Sequence, residues 1–335
     1  MAGVTSSAAG RAVGLCPRAV GNGPLADMTL EDFIPAYARI GSDELAERGA
    51  ALRELMRFCR LCPRRCAVDR PAGEVGACRT GVAPIVSSHG PHFGEEAPLV
   101  GRRGSGTIFL TNCNLGCIFC QNYDISHLGQ GREVTVDHLA RMMVELQERG
   151  CHNINWVTPT HQAPMLVDAT RLALERGLHV PIVYNCGGYE SVEALRLLDG
   201  IVDIYMPDAK YGDNEVGKRL SEVADYWDRC REALAEMHRQ VGDLRVDDSG
   251  IAARGLLVRH LVLPEDMART GVVMQYLVSL SRHTYVNVMA QYHPQHRAGE
   301  VSAIARPLAR EEFRQAVREA LDAGLHRLDE RRLAS

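Results

Sequence analysis

At 335 residues, 46% of them hydrophobic and 24% charged, the chain is long enough for one large domain or two smaller ones, and its composition excludes a disordered or fibrous protein. Thirty-eight basic against 42 acidic residues leave a net charge of −4, which excludes the global cationic field that holds nucleic acid or an anionic membrane. No run approaches the ~18 consecutive apolar residues that span a bilayer, and the small, polar N-terminus lacks a signal-peptide core. These features place the chain in the cytoplasm, where 11 cysteines point to metal or redox chemistry rather than disulfides.

Residues 1–27, rich in Ala, Gly and Ser, read as a disordered tail. From Asp43 to Phe58 the apolar positions Leu45, Leu52, Leu55, Met56 and Phe58 suit an amphipathic helix. It runs into Cys59, Cys62, Cys66 and Cys78. Four thiolates close a coordination shell, so this irregular N-terminal segment, residues 28–100, reads as a helical and cysteine-rich module holding structural zinc or an auxiliary iron–sulfur cluster, the other outcome being a remnant without metal.

Residues 101–335 alternate strand-like runs with amphipathic helices. The runs are 106–111, 153–158, 180–185, 201–206, 256–263 and 285–290. Between them Leu139, Met142, Met143 and Leu146 share a helical face, as do Val192, Leu195 and Leu198, and later Phe313, Val317 and Leu321. Gly150, Gly177 and Gly200 read as helix C-caps. Six βα-like units imply an α/β protein with a parallel sheet covered on both faces, either doubly wound or curled into part of a barrel.

Directly after the first run stands Thr111-Asn112-Cys113-Asn114-Leu115-Gly116-Cys117-Ile118-Phe119-Cys120. Three thiolates in a loop leaving a strand can share one cuboidal iron–sulfur cluster, with one iron left open for a small chelating molecule; the other outcomes are buried free thiols or a zinc site completed by His127. Phe119, between the last two cysteines, is apolar enough to shield such a cluster.

This Cys-x3-Cys-x2-Cys loop resembles that of the radical S-adenosylmethionine (SAM) superfamily. Thr158-Pro159-Thr160-His161, Ile182-Val183-Tyr184-Asn185, Tyr205-Met206-Pro207-Asp208 and Arg259-His260-Leu261 are similar to the branch named for pyruvate formate-lyase activating enzymes, over about residues 28–325. The resemblance implies a partial (β/α)6 TIM-like barrel and a [4Fe-4S] cluster on Cys113, Cys117 and Cys120 that binds SAM at its open iron. It also implies SAM contacts by Thr158 and Thr160, which stand where related enzymes have Gly-Gly-Glu, and by Asn185, Asp208, Lys210, Arg259 and His293. Lys210 and Arg259 would meet the SAM carboxylate, and Tyr292-His293 the ribose and adenine.

The function so implied is reductive SAM cleavage to a 5′-deoxyadenosyl radical that abstracts hydrogen, with glycyl-radical formation in a partner protein as the substrate class. A one-electron reductant such as flavodoxin or ferredoxin is required, and neither nucleic acid nor membrane is expected as a partner. Two other classes stand beside it. A two-cluster radical enzyme modifying RNA or peptide would want a basic appendage that the acidic balance does not offer. A non-enzymatic iron–sulfur or zinc scaffold would want four cysteines in the central loop, which has three.

Overall fold

The computed structural model describes residues 33–329. The expected tail at residues 1–27 therefore lies outside the described residues. Ten strands form one sheet, and its backbone is a run of parallel strands: β2 (Ser105–Leu110), β4 (Ile154–Val157), β5 (Ile182–Cys186), β6 (Ile204–Pro207), β8 (Ala252–Leu261) and β9 (Tyr285–Met289), with β10 (Arg327–Leu328) after them. Within this parallel run the order in the sheet follows the order in the chain without a reversal. A doubly wound sheet needs such a reversal, so the arc is that of a partial barrel.

Alternation along each strand sorts side chains to the two faces. Ile182, Tyr184, Tyr205, Leu256 and Val258 join the large core with Leu139, Met143, Leu166 and Ala169 of the helices α4 (Val136–Glu148) and α5 (Ala163–Leu174). Val183, Ile204, Met206 and Leu257, one residue out of step with them, form a second core with Leu99, Leu244 and Ala252. Leu99 comes from the short helix α2 (Ala97–Val100), which thus floors the concave side.

Each of the six expected strand runs overlaps one of β2, β4, β5, β6, β8 and β9, with ends displaced by up to four residues, and Gly150, Gly177 and Gly200 all follow helices with positive φ. Elsewhere the structure departs from expectation. Helix α1 spans Ala36–Glu54 with a break at Gly41 (φ 80°), so it begins earlier than Asp43, and Phe58 lies beyond it and is exposed. Its Gly49 passes so close to Asp168 of α5 that a Cβ would meet the carboxylate, while Arg53 pairs with the same Asp168. Strand β1 (Ile85–His92) pairs antiparallel with β2, and β3 (Arg132–Glu133) with β1. Both β1 and α2 precede residue 101 yet belong to the sheet and its concave side. Helix α10 (Arg310–Ala323) buries Ala316 and Ala320, whereas Leu321 is exposed. Small residues let α10 approach α9 (Thr270–Leu280) closely. Among the described residues no helix is long and apolar enough to cross a membrane.

Candidate functional site

The cysteine loop leaves β2 at its C-terminal end, the edge where parallel α/β barrels gather their chemistry. Its backbone is pinned from outside: Gly116 N donates to Ser221 O (3.0 Å), Ile118 N to Leu220 O (2.9 Å), and Arg297 N to Ile118 O (2.8 Å). Leu220 and Ser221 end helix α7 (Asn214–Ser221). The thiols have hydroxyl neighbours, with Cys117 Sγ 2.9 Å from Ser221 Oγ and Cys120 Sγ 3.1 Å from Ser126 Oγ. Leu115 N donates to Cys113 Sγ (3.4 Å). Burial pushes the Cys113 and Cys117 thiols up, and their mutual proximity adds to this for Cys113. Buried thiols such as Cys113 and Cys117 become thiolates only beside a compensating cation, which iron supplies, so the donor set fits an iron–sulfur cluster.

His127 takes another place. Its Nδ1 lies 2.8 Å from Ser126 Oγ and its ring tilts against His296 at 4.7 Å. Among the described residues, no three His, Cys, Asp or Glu side chains close on a single ion. A cluster spreads its thiolates more widely than one ion does. Phe119 is buried edge-on between Tyr211 and Tyr292, at 6.3 and 5.9 Å, and so packs the underside of the loop.

Facing the loop, Asp208 accepts from Lys210 Nζ (2.6 Å, on Oδ2) and Arg259 Nε (2.8 Å, on Oδ1), while Arg259 Nη2 donates to Asn185 Oδ1 (2.6 Å). Four of the expected residues thus form one network across β5, β6 and β8. Burial opposes charge on all three ionised groups, and their mutual attraction prevails: Asp208 is held below the usual carboxylate range, while Lys210 and Arg259 are held above theirs. Lys210 also biases the Cys117 thiol downward. The Tyr226 hydroxyl anchors the turn by accepting from Lys210 N and sharing its single proton between Gly187 O and Asp208 O, each at 2.9 Å. Gly188 (φ 76°) lies so close to the Asp208 carbonyl that no Cβ fits there.

The remaining expected residues are scattered. Thr158 ends β4 with φ 62°, an uncommon conformation for a β-branched residue, and its N donates to Asn185 O (2.8 Å). Thr160 is turned away from this network: its buried hydroxyl donates to Glu190 Oε1 (2.7 Å), whose Oε2 accepts from Tyr184 OH (3.1 Å). His293 is exposed, with Nδ1 3.2 Å from Gln291 O.

Sequence reasoning missed Glu95, 3.8 Å from Arg259, and a polar layer beneath it. Asn287 Nδ2 donates to Glu96 Oε1 (2.8 Å), leaving Glu96 Oε2 and Asn287 Oδ1 unpartnered, and both side-chain polar atoms of buried Asn155 are unpartnered too. Asparagines inside apolar strand runs, as in Ile154-Asn155-Trp156 and Val286-Asn287-Val288, were the available signal.

Known proteins bear on this arrangement. The chain is 32% identical over 274 residues to an uncharacterised protein of Methanocaldococcus jannaschii, covering 79% of this chain and 75% of that one. It is 28% identical over 110 residues to the pyruvate formate-lyase-activating enzyme of Clostridium pasteurianum, covering 30% of this chain and 46% of that enzyme. Among solved structures it is similar to HydG, a maturase of the [FeFe]-hydrogenase (TM-score 0.45, 13% identity), and to methylornithine synthase (TM-score 0.44, 15% identity). Each covers 65% of this chain, which spans 49% and 62% of those two. The profile of the radical SAM superfamily matches residues 107–246, a stretch that holds the cysteine loop and the Asp208–Lys210 pair. The chain belongs to the radical SAM superfamily, whose members carry a [4Fe-4S] cluster and use S-adenosylmethionine.

Proposed function

We propose that Cys113, Cys117 and Cys120 hold the cluster, that the chain cleaves SAM there, and that the radical takes a hydrogen atom from the Cα of a glycine in a partner protein. The observation that carries this reading is the convergence of the three-thiol loop with Asp208, Lys210 and Arg259 at one edge of the sheet. When bound, the cluster supplies the electron that breaks the sulfonium C–S bond to give methionine and the 5′-deoxyadenosyl radical. The protein's own part is to place and shelter the reactants. Leu115, Ile118 and Phe119 keep water from the loop, and Lys210 and Arg259 offer positive charge for a carboxylate. Asp208 and Asn185 offer acceptors for an ammonium group.

The glycine substrate draws its support from the partial likeness to the Clostridium activating enzyme. A reduced flavodoxin or ferredoxin would supply the electron. Anaerobic reconstitution followed by SAM and dithionite should yield 5′-deoxyadenosine, and Cys113→Ala, Cys117→Ala and Cys120→Ala should each abolish it, because two thiolates do not hold a four-iron cluster with one iron open. Deoxyadenosine from any of the three would overturn the assignment. Adding a candidate partner should produce an organic radical signal on that partner, lost when its target glycine is replaced.

A further inference from the structure

Cys59, Cys62, Cys66 and Cys78 line one small buried cavity together with Arg70 and His161. Two polar atoms of that lining lack hydrogen-bond partners. Arg70 is 1% exposed, and its Nε and Nη2 both donate to Gly81 O, leaving Nη1 unpaired. His161 is 2% exposed; Nε2 lies 2.8 Å from Thr111 O, so it carries the proton, and Nδ1 keeps an unpartnered lone pair. A histidine fixed through one ring nitrogen by a backbone carbonyl, with the other free among thiols, is the arrangement that precedes metal binding. A buried guanidinium N–H with no acceptor calls for an anion in the same cavity.

An assembly of thiolates and sulfide around iron is anionic and presents sulfur acceptors. Further contacts tighten the cradle: Ala77 N lies 3.5 Å from Cys66 Sγ, and Gly76 passes so close to Cys66 that a Cβ would strike its sulfur. A tetrahedral zinc with Zn–S of about 2.3 Å draws its thiolates to about 3.8 Å from one another. Among the described residues no three of these four close on a single ion, as is also true of the thiols of the central loop.

We propose that this cavity is the seat of a second iron–sulfur cluster, ligated by Cys59, Cys62, Cys66 and Cys78, with Arg70 Nη1 donating to its sulfur and His161 lining the cavity beside it. The proposal concerns a centre separate from the SAM-cleaving one, and its readouts involve no SAM.

The test begins with the full-length Cys113→Ser/Cys117→Ser/Cys120→Ser variant, reconstituted anaerobically with iron and sulfide in the presence of zinc. It should retain about four iron and four sulfide per chain and give a reduced-cluster EPR signal with dithionite. The parent should hold about eight iron, and a Cys59→Ser/Cys62→Ser variant about half of that. Zinc retained in place of iron overturns the proposal, as does a parent that holds only about four iron. Arg70→Gln should keep the cluster but shift its midpoint potential to more negative values, since a positive charge beside the cluster favours the added electron. A purely structural Arg70 would leave the potential where it was, and that result would remove the role given to its Nη1.

Discussion

Lys210 and Arg259 do not wait at the barrel mouth as free cations; each already grips Asp208. A SAM carboxylate would therefore share them with a resident carboxylate. Replacing one cation removes a charged donor from a water-poor site and leaves Asp208 less compensated, so Lys210→Met and Arg259→Met should each weaken SAM binding by about 1.5–3 kcal/mol, about ten- to a hundredfold. Equilibrium SAM binding at equal iron content is the measurement, and parent-like affinity in both would show that these two residues serve Asp208 alone. Glu190 behaves differently. Burial pushes its carboxyl up to about 7, against the donated hydrogen bonds of Thr160 and Tyr184. A carboxyl whose folded-state pKa is raised adds stability below its ordinary value and loses it as pH climbs through the folded one. The urea midpoint of the parent should therefore fall between about pH 5 and 8, and Glu190→Gln should flatten that fall. Asp203, also pushed up to about 7 by burial, accounts for a remaining slope of the same sign.

At the scale of the element, α1 depends on a residue far along the chain. Ala36 N at its start donates to Asp203 Oδ1 (2.8 Å), and Ile182 N at the start of β5 donates to Asp203 Oδ2 (3.0 Å). One carboxylate thus ties the N-terminal helix to two strands of the sheet. Asp203→Ala would leave two buried amides without acceptors, at about 1–3 kcal/mol each, and should lower the unfolding free energy by about 2–6 kcal/mol with iron content unchanged. Denaturant titration of the apo chain reads this directly. The elements themselves were unequally legible. Parallel strands are apolar on both faces, so β4, β5 and β6 stand out in the sequence. Strand β1 reads Ile-Val-Ser-Ser-His-Gly-Pro-His, a polar segment whose strand character comes from backbone pairing with β2, and sequence pattern does not carry that information. Asn185, Asp208, Lys210 and Arg259 stood among seven residues expected to contact SAM, but the links from Arg259 to Asp208 and Asn185 were not foreseen. Which acceptor a cation meets depends on the register between β6 and β8, where Asp208 stands beside Arg259. Thr160 shows the same limit, because its partner Glu190 comes from the loop after β5, 30 residues along the chain.

Over the whole molecule, the two cysteine groups are fastened together by the chain between them. Asn112 Nδ2 donates to Thr80 Oγ1 (3.1 Å) and Arg79 O (3.4 Å), just past Cys78. Arg64, between Cys62 and Cys66, donates to the carbonyl of Asn114 beside Cys113. His161 holds the carbonyl of Thr111, two residues before Cys113. Fasteners of this kind have no direction. Whatever order one loop gains from its inorganic cargo lowers the cost of ordering the other, and thermodynamic linkage requires the favour to be returned in equal measure. With the two clusters proposed above, maturation is expected to be cooperative: half-filled chains should be scarce at limiting iron, with the population divided between empty and doubly filled. Asn112→Ala, which spares every thiol and leaves the Arg64 and His161 links, should weaken the coupling, and native mass spectrometry at limiting iron would reveal it as more singly filled chains than in the parent.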